Sequence, residues 1–316
     1  MRVLLTGNEG YIGTVLVPLL RSVDAEVVGL DSGLFDECSI TPVNRVRTIR
    51  KDIRDVEAAD LDGIDAVLHL AGLSNDPLGD LNPILTYEIN HEATVRLAEL
   101  AKGRGIRRFV YASTCSVYGD GGDSVLDEES ALNPLTPYAE SKARSEADLR
   151  RLADGSFCPV YLRAATAYGV SPLLRFDLAV NNLVAWAATT SRVLLKSSGT
   201  SWRPLVHIED IAQAYLVALR APDELVHNRA FNVGRTEENY RIRDVAELVR
   251  QRVPDTRVEF AADASPDHRN YRVSCDRIHR ELPEFQPRWT VAEGIDEIYQ
   301  AIRETALSSD DFEGPR

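Results

Sequence analysis

The sequence predicts an α/β protein with a doubly wound parallel sheet and a small, interleaved C-terminal α/β cap. Short apolar runs alternate with helical patterns through the first 120 residues. Glycines at positions 7, 10 and 13 separate the first apolar run from the first helical pattern. Segments of a different character lie between and after the last predicted strands, and these predict the cap.

The first 120 residues are predicted to form strands joined by helices. The apolar runs 3–6, 26–30, 66–70 and 108–112 predict strands, and the patterns 12–21 and 89–103 predict helices. The second helix ends in a glycine, which is typical of a helix C-terminus. Strands that alternate with helices indicate right-handed βαβ units and a parallel sheet covered on both faces.

The later segments continue the sheet and add the cap. Runs 160–162, 206–208 and 230–233 predict strands, with a helix over 211–219. The cap is predicted from helices over 171–190 and 243–252 and from small strands over 193–196 and 257–260. We therefore expect one domain over residues 1–170, completed by about 203–235, and a cap over 171–202 and 236–305. The polar tail 308–316 is expected to fray.

Composition limits the partners of this chain. Its 316 residues carry 49 acids and 36 bases, a formal charge of −13, which argues against a nucleic-acid partner. No apolar run approaches the ~18–20 residues that a membrane helix needs, and the N-terminus does not resemble a signal peptide. The four cysteines are scattered without a CxxC pair, so we expect no structural metal. The expected location is the cytoplasm.

The glycine-rich segment is typical of a dinucleotide site. Gly7, Gly10 and Gly13 lie between a strand and a helix, where glycine lets the backbone approach a pyrophosphate and the helix N-terminus offers N–H donors. Asp31 ends the second apolar run, 18 residues after Gly13. A carboxylate there accepts hydrogen bonds from ribose hydroxyls, which favours NAD over NADP. A simple tight turn with a strand-end cap is the alternative.

Tyr138 and Lys142 are the candidate proton-transfer pair. Residues at i and i+4 of a helix lie on one face, one turn apart. An ordinary tyrosine has a pKa of about 10, and a neighbouring ammonium or a cationic nicotinamide ring stabilises the phenolate and lowers that value. Lys142 is one of four lysines in the chain. The alternative is a surface Tyr–Lys pair.

A hydroxyl at the end of the strand near residue 112 faces the ligand cleft of an open α/β sheet. Ser113 and Thr114 both lie there, in the segment 111–119.

The spacing Gly-x2-Gly-x2-Gly is that of the extended short-chain dehydrogenases/reductases, and with Tyr138-x3-Lys142 it resembles their NAD-dependent nucleotide-sugar epimerases and dehydratases. The resemblance implies a Rossmann-like fold, with NAD as cofactor. It completes the catalytic set with Thr114, which would orient the substrate oxygen against Tyr138. The implied cofactor-binding residues are Gly7, Gly10, Tyr11, Ile12, Gly13, Asp31, Asp52, Ile53, Leu70, Ala71, Gly72, Asn90, Tyr138 and Lys142.

The resemblance also implies a nucleotide-sugar substrate held by Asn182 and Arg203, and a possible homodimer. Arginine suits a diphosphate because its planar fork donates two hydrogen bonds. The second phosphate clamp departs from the family pattern, since Ala264 or Ser265 replaces the usual arginine. Arg269 is the candidate to replace it.

The two residues that directly follow Thr114 bear on the type of reaction. Sugar 4,6-dehydratases of this family carry Asp-Glu there, whereas this chain has Cys115 and Ser116, which cannot supply the acid and the base. We interpret Cys115 as a small buried residue. Three functions remain: an epimerase that passes through a 4-keto intermediate, an NAD(P)H-dependent ketoreductase of a 4-keto-6-deoxy sugar nucleotide or another ketone, and a non-catalytic dinucleotide sensor.

Overall fold

The computed structural model describes residues 1–74, 76–265, 267, 269–305 and 307–313. The strands are β1 (Arg2–Thr6), β2 (Glu26–Asp31), β3 (Arg47–Arg50), β4 (Ala66–His69), β5 (Arg108–Thr114), β6 (Asp120–Leu126), β7 (Cys158–Ala164), β8 (Thr166–Tyr168), β9 (Arg192–Ser197), β10 (Trp202–His207), β11 (Arg229–Val233), β12 (Asn239–Arg241), β13 (Arg257–Ser265) and β14 (Asn270–Val273). The helices are α1 (Gly13–Arg21), α2 (Asp76–Leu81), α3 (Pro83–Tyr87), α4 (Ala93–Gly103), α5 (Pro137–Leu152), α6 (Ala179–Thr190), α7 (Ile208–Arg220), α8 (Asp223–Val226), α9 (Ile242–Arg252), α10 (Asp276–Glu281), α11 (Val291–Thr305) and α12 (Asp310–Glu313).

Seven parallel strands form the central sheet, in the order β11-β7-β5-β4-β1-β2-β3. The strand order reverses between β1 and β4, and open α/β sheets bind ligands in the crevice at such a point. The predicted doubly wound sheet is therefore confirmed. The glycine-rich segment leaves β1 at this crevice.

Both faces of the sheet are covered. Side chains of β1 alternate between two cores: Val3 and Leu5 pack on the face that carries α1 and α7, while Leu4 packs on the face that carries α4. This period-two pattern in a strand buried on both sides explains the continuous apolar run in the sequence.

The segment around residue 206 differs from the prediction. It forms β10, which pairs with β8 and β12 in a separate three-stranded sheet and not in the central sheet. Pro204 has no amide hydrogen, and its strand turns from the antiparallel partner β12 to the parallel partner β8 next to it. The helix that follows, α7, still packs its apolar face on the central sheet.

The helix predicted over 171–190 is shorter than expected, because α6 begins at Ala179. The side chains of Asn181 and Asn182 donate to the backbone carbonyls of Arg175 and Phe176 at 2.9 and 2.7 Å. These bonds fold the preceding segment back against the start of α6. The edge strand β3 was not predicted.

The cap contains α6, α9 and α11, which pack together around Val180, Val245 and Ile295. Strands β9 and β13 pair in parallel beside them, as a separate two-stranded sheet. The extent of each domain stays a prediction. No helix within the described ranges is long and apolar enough to cross a bilayer.

Candidate active site

The glycine-rich loop is closed tightly against the turn that follows β4. Gly7 has a φ of +70°, and a Cβ there would lie 2.9 Å from the backbone nitrogen of Ala71. A Cβ at Gly13 would lie 2.2 Å from the Gly7 carbonyl oxygen. Both positions therefore require glycine. The loop leaves the N-terminus of α1 facing the crevice, which fits the pyrophosphate of a dinucleotide.

Neighbouring backbone is held by buried polar groups. The Thr6 hydroxyl accepts hydrogen bonds from the amides of Leu70 and Ala71, each at 3.1 Å. Tyr11 directs its side chain away from the loop, and its hydroxyl donates to the Gly169 carbonyl at 2.7 Å. Burial raises the pKa of Tyr11. The Asn181 side chain of α6 donates to the same hydroxyl at 3.2 Å, so Tyr11 joins the loop to the cap.

Asp31 lies at the end of β2, beside the glycine-rich loop. Its two carboxylate oxygens accept from the amides of Glu9 and Gly33, at 3.1 and 2.9 Å. Each carboxylate oxygen has further acceptor capacity. This geometry fits a carboxylate that receives ribose hydroxyls.

Asp52 has a clear structural role. Its carboxylate accepts from the Arg54 amide at 2.9 Å and pairs with the Arg54 guanidinium at 2.8 Å. The Arg54 hydrogen bond lowers the pKa of Asp52. Ile53 beside it is buried. Contact between these two residues and a cofactor stays a prediction from the resemblance.

The start of α5 carries the candidate proton-transfer pair. The helix begins with Thr136 as its N-cap, whose hydroxyl accepts from the Ala139 amide at 3.2 Å, and with Pro137 in the first turn. The Lys142 ammonium lies 5.9 Å from the centre of the Tyr138 ring and 4.9 Å from the centre of the Tyr111 ring. Both distances are within the range of a cation–π contact, and the shorter one is to Tyr111.

Lys142 is buried, and its ammonium lies close to the turn that follows β4. A Cβ at Gly72 would lie 3.7 Å from the Lys142 ammonium. Burial lowers the pKa of Lys142 to about 8, so the ammonium keeps its charge at neutral pH. The charge therefore lies between the turn behind the glycine-rich loop and the Tyr138 ring.

Thr114 ends β5 and caps the short 3₁₀ turn that follows. Its hydroxyl accepts from the Ser116 amide at 3.2 Å and lies 3.0 Å from the Ser116 hydroxyl. The preceding residue, Ser113, points away to a buried partner and donates to Glu146 at 2.5 Å. The two neighbouring hydroxyls thus differ. Ser113 is buried and bonded to Glu146, whereas Thr114 is half-buried.

A buried ion pair fixes α5 to the sheet. Glu146 lies two turns after Tyr138, and the Arg163 guanidinium of β7 donates to both of its oxygens, at 2.9 and 2.7 Å. Arg163 also donates to the Tyr118 hydroxyl at 3.0 Å. Buried charges need such partners. The pair sets the position of the helix that presents Tyr138 and Lys142.

Asn90 lies behind the turn at Gly72. It sits in the π-helical turn Glu88–Glu92, and its amide oxygen and nitrogen bond the backbone of Leu73 at 2.7 and 2.8 Å. Its nitrogen also lies 3.3 Å from the Ser141 hydroxyl on α5. Asn90 therefore ties the turn to α5, and any direct cofactor contact stays a prediction.

An open cavity of about 730 Å³ lies on the cap side. Asn182 and Asp267 contribute polar groups to its wall, and Trp186 and Leu194 contribute apolar surface. Lys196, another of the four lysines, also lines it. A cavity with one polar and one apolar part suits a ligand that has a charged group and a flat ring.

Arg203 and Arg269 both contact Asp267. Their guanidinium groups lie 2.8 and 2.9 Å from the same carboxylate oxygen. Arg203 is buried, and it also donates to the carbonyls of Trp202 and Arg269. The structure thus brings the two predicted phosphate ligands together beside the cavity, through a carboxylate that the sequence analysis did not single out.

Arg175 is a further residue that the sequence analysis missed. Its guanidinium donates to the Ser74 hydroxyl at 2.8 Å and to the Asp177 carboxylate at 2.6 Å. Because a helix was predicted over 171–190, the loop that carries Arg175 was not recognised.

Comparisons with known proteins show the family to which the chain belongs. The model of the NAD-dependent epimerase/dehydratase family matches residues 3–234. A UDP-glucose 4-epimerase of Mycolicibacterium smegmatis is 30% identical over 319 residues, covering 96% of this chain and 99% of that relative. A dTDP-D-glucose 4,6-dehydratase of Mus musculus is 27% identical over 302 residues, covering 88% and 82%.

A solved structure, MoeE5 in complex with UDP-glucuronic acid and NAD, is 27% identical. Its TM-score is 0.83, and the match covers 97% of this chain and 100% of that chain. That the glycine-rich loop, Asp31 and the Tyr138–Lys142 pair contact the cofactor stays a prediction. Since the family model spans most of the chain, this protein is an enzyme of the NAD-dependent epimerase/dehydratase family, an extended short-chain dehydrogenase/reductase with NAD as its cofactor.

Proposed function

We propose that this enzyme epimerises a nucleotide-activated sugar by oxidising a carbinol carbon, C4, to a ketone and reducing it again from the other face. The hydride-transfer part of the proposal rests on the buried Lys142 ammonium, which lies near both the Tyr138 ring and Gly72, in the turn behind the glycine-rich loop. That position lets one charge serve both the phenol and a nicotinamide ribose.

The proposed chemistry assigns one task to each side chain. NAD supplies the hydride acceptor of the first half-reaction and the hydride donor of the second. Tyr138 takes the proton of the sugar hydroxyl as the ketone forms and returns it as the ketone is reduced. Lys142 stabilises the phenolate, and the Thr114 hydroxyl positions the reacting oxygen.

The neighbours of Thr114 favour epimerisation over dehydration. Cys115 is fully buried, and its thiol lies 3.1 Å from the Arg163 carbonyl oxygen, to which it donates. Burial raises the pKa of this thiol, so the reactive thiolate is disfavoured. Ser116 bonds Thr114 and offers no carboxylate. These two positions therefore lack the acid and base that elimination of water requires.

The cap cavity is the proposed site for the nucleotide. The apolar surface of Trp186 and Leu194 suits a base, and Asn182 adds a polar group to the wall. Arg203 and Arg269 are the proposed diphosphate ligands, and they are linked to the cavity wall through their shared partner Asp267. The relatives named for UDP- and dTDP-sugars make these the first substrates to try. A homodimer remains a prediction, which light scattering coupled to gel filtration tests.

The function is tested by product analysis. The protein is incubated with NAD⁺ and one sugar nucleotide at a time: UDP-glucose, UDP-glucuronic acid or dTDP-glucose. The sugar products are identified by NMR. We expect one of them to yield its C4 epimer with no net formation of NADH. A product that has lost water contradicts the proposal. Stoichiometric consumption of NADH on a 4-keto sugar, with no epimerase activity, would establish the reductase instead.

A further inference from the structure

An arginine lies at the ribose end of the dinucleotide crevice with two carboxylates bonded to it. Arg50 is the last residue of β3 and pairs in parallel register with Asp31, the last residue of β2. One guanidinium nitrogen lies 2.6 Å from a Glu9 carboxylate oxygen, and the other lies 2.9 Å from an Asp36 carboxylate oxygen. Both ends of the planar fork are thereby occupied.

The same guanidinium lies directly over the backbone that holds Asp31. A Cβ at Gly33 would lie 2.5 Å from an Arg50 nitrogen, and the Gly33 amide is itself a donor to Asp31. The Glu9 amide is the second donor to Asp31. Arg50, Glu9 and Asp31 therefore lie together at one corner of the crevice, where the sequence analysis expects Asp31 to bind the ribose hydroxyls.

Glu9 is held firmly in this arrangement. Its side chain is 14% exposed, and the Thr48 hydroxyl of β3 lies 3.4 Å from its second oxygen. Asn8 also bonds Thr48, at 3.0 Å, so two consecutive residues of the glycine-rich loop are fixed to β3. Asp36, in contrast, is a more exposed partner, with a side chain 40% exposed.

The charges decide which ribose this corner accepts. A 2′-phosphate adds a charge of about −1.5 to −2 near neutral pH. Arginine is the side chain best suited to bind it, because its fork donates two hydrogen bonds. Here, however, the fork is bonded to Glu9 and Asp36, and the carboxylate of Asp31 lies beside it. A phosphate entering the corner meets three carboxylates around Arg50.

We propose that Glu9 and Asp36 are specificity-determining residues, which exclude NADP by keeping the guanidinium of Arg50 bonded to carboxylates. Without them, Arg50 becomes a ligand for a 2′-phosphate. The inference rests on the proposed placement of the ribose at Asp31. It assigns to the second variable residue of the glycine-rich loop a role in cofactor choice that is separate from the role of Asp31.

Titration calorimetry on protein stripped of nucleotide tests the inference, with NAD⁺ and NADP⁺ as the probes. In the Glu9→Gln/Asp36→Asn variant we expect the affinity for NADP⁺ relative to NAD⁺ to rise about tenfold, the effect of one charge-assisted hydrogen bond. Adding Arg50→Gln should abolish the gain. An unchanged ratio, or a gain that survives the loss of Arg50, overturns the inference. Should the double variant fail to fold, Glu9→Gln alone provides the same comparison.

A matched control changes the same number of charges around the neighbouring lysine. Lys51 pairs with Glu57 and Asp60 at 3.2 and 2.8 Å, so Glu57→Gln/Asp60→Asn should leave the ratio unchanged. An equal gain in this control would attribute the effect to net charge and overturn the inference.

Asp31→Ala distinguishes a wrong placement of the ribose at Asp31 from a wrong role for Glu9 and Asp36. Weaker NAD⁺ binding by about tenfold is expected if Asp31 holds the ribose. Unchanged NAD⁺ binding refutes that placement and the inference together. Weakened binding with an unchanged ratio in the Glu9/Asp36 variant refutes the inference alone.

Discussion

Tyr138→Phe is expected to lower kcat by about 10²–10⁴-fold, the usual contribution of a general acid–base group. The phenylalanine keeps the ring that packs beside Lys142 and removes the hydroxyl that exchanges a proton with the substrate. Folding and NAD⁺ binding should therefore be retained. Circular dichroism checks the fold, calorimetry checks cofactor affinity, and steady-state assays on the substrate identified by NMR measure the rate.

Cys115→Ala is the matched control for this loss. Cys115 directly follows Thr114, but its thiol is buried and bonded to the sheet, so its removal should change kcat by less than about tenfold. Near wild-type turnover of Tyr138→Phe would remove Tyr138 from the mechanism. A loss of the same size in Cys115→Ala would assign the thiol a catalytic role that the structure does not support.

Lys142→Met is expected to abolish most activity and to stabilise the cofactor-free protein. Burial lowers the pKa of Lys142 from its ordinary 10.5 to about 8, so folding at neutral pH must bury a charge. Since one pKa unit corresponds to about 1.4 kcal/mol, the charge costs up to about 3.5 kcal/mol. The contact with the Tyr111 ring offsets part of this cost. Urea unfolding of the stripped protein measures the difference.

The stability difference between Lys142→Met and the wild type should depend on pH. Between pH 8 and 10.5 the unfolded chain binds the Lys142 proton and the folded chain does not, so the wild type gains stability as the pH rises. The advantage of Lys142→Met should be full below pH 8 and should shrink above it. Lys102→Met is the control, because Lys102 is partly exposed and pairs with Asp154. A lower free energy of unfolding for Lys142→Met than for the wild type at pH 7 would contradict this account.

The sequence was sufficient for the parts of the fold and site that depend on local pattern. The glycine spacing, the i,i+4 pair on α5 and the apolar alternation of β1 each follow from short-range geometry. Thr114 also ends a strand as predicted, and Ser113 proved to be the structural neighbour.

What the sequence could not show depends on contacts between distant residues. Asp267 lies 64 positions from Arg203, and Glu146 lies 17 from Arg163 on another element, so no local pattern pairs them. The strand containing Pro204 has a pattern like those of the central strands, and only its hydrogen-bond partners place it in another sheet. The segment before α6 is a loop because the side chains of Asn181 and Asn182 bond its backbone, and the sequence pattern does not show these bonds.

The most direct test of the central claim follows the hydrogen at C4 of the sugar. The nucleotide sugar that the protein converts is prepared with deuterium at C4 and incubated with the enzyme and unlabelled NAD⁺ in ordinary water. Hydride transfer and return, with Tyr138 moving only the hydroxyl proton, predict a C4 epimer that retains its deuterium. An epimer whose C4 hydrogen comes from water would show that a proton, and not a hydride, leaves that carbon, and it would contradict the mechanism.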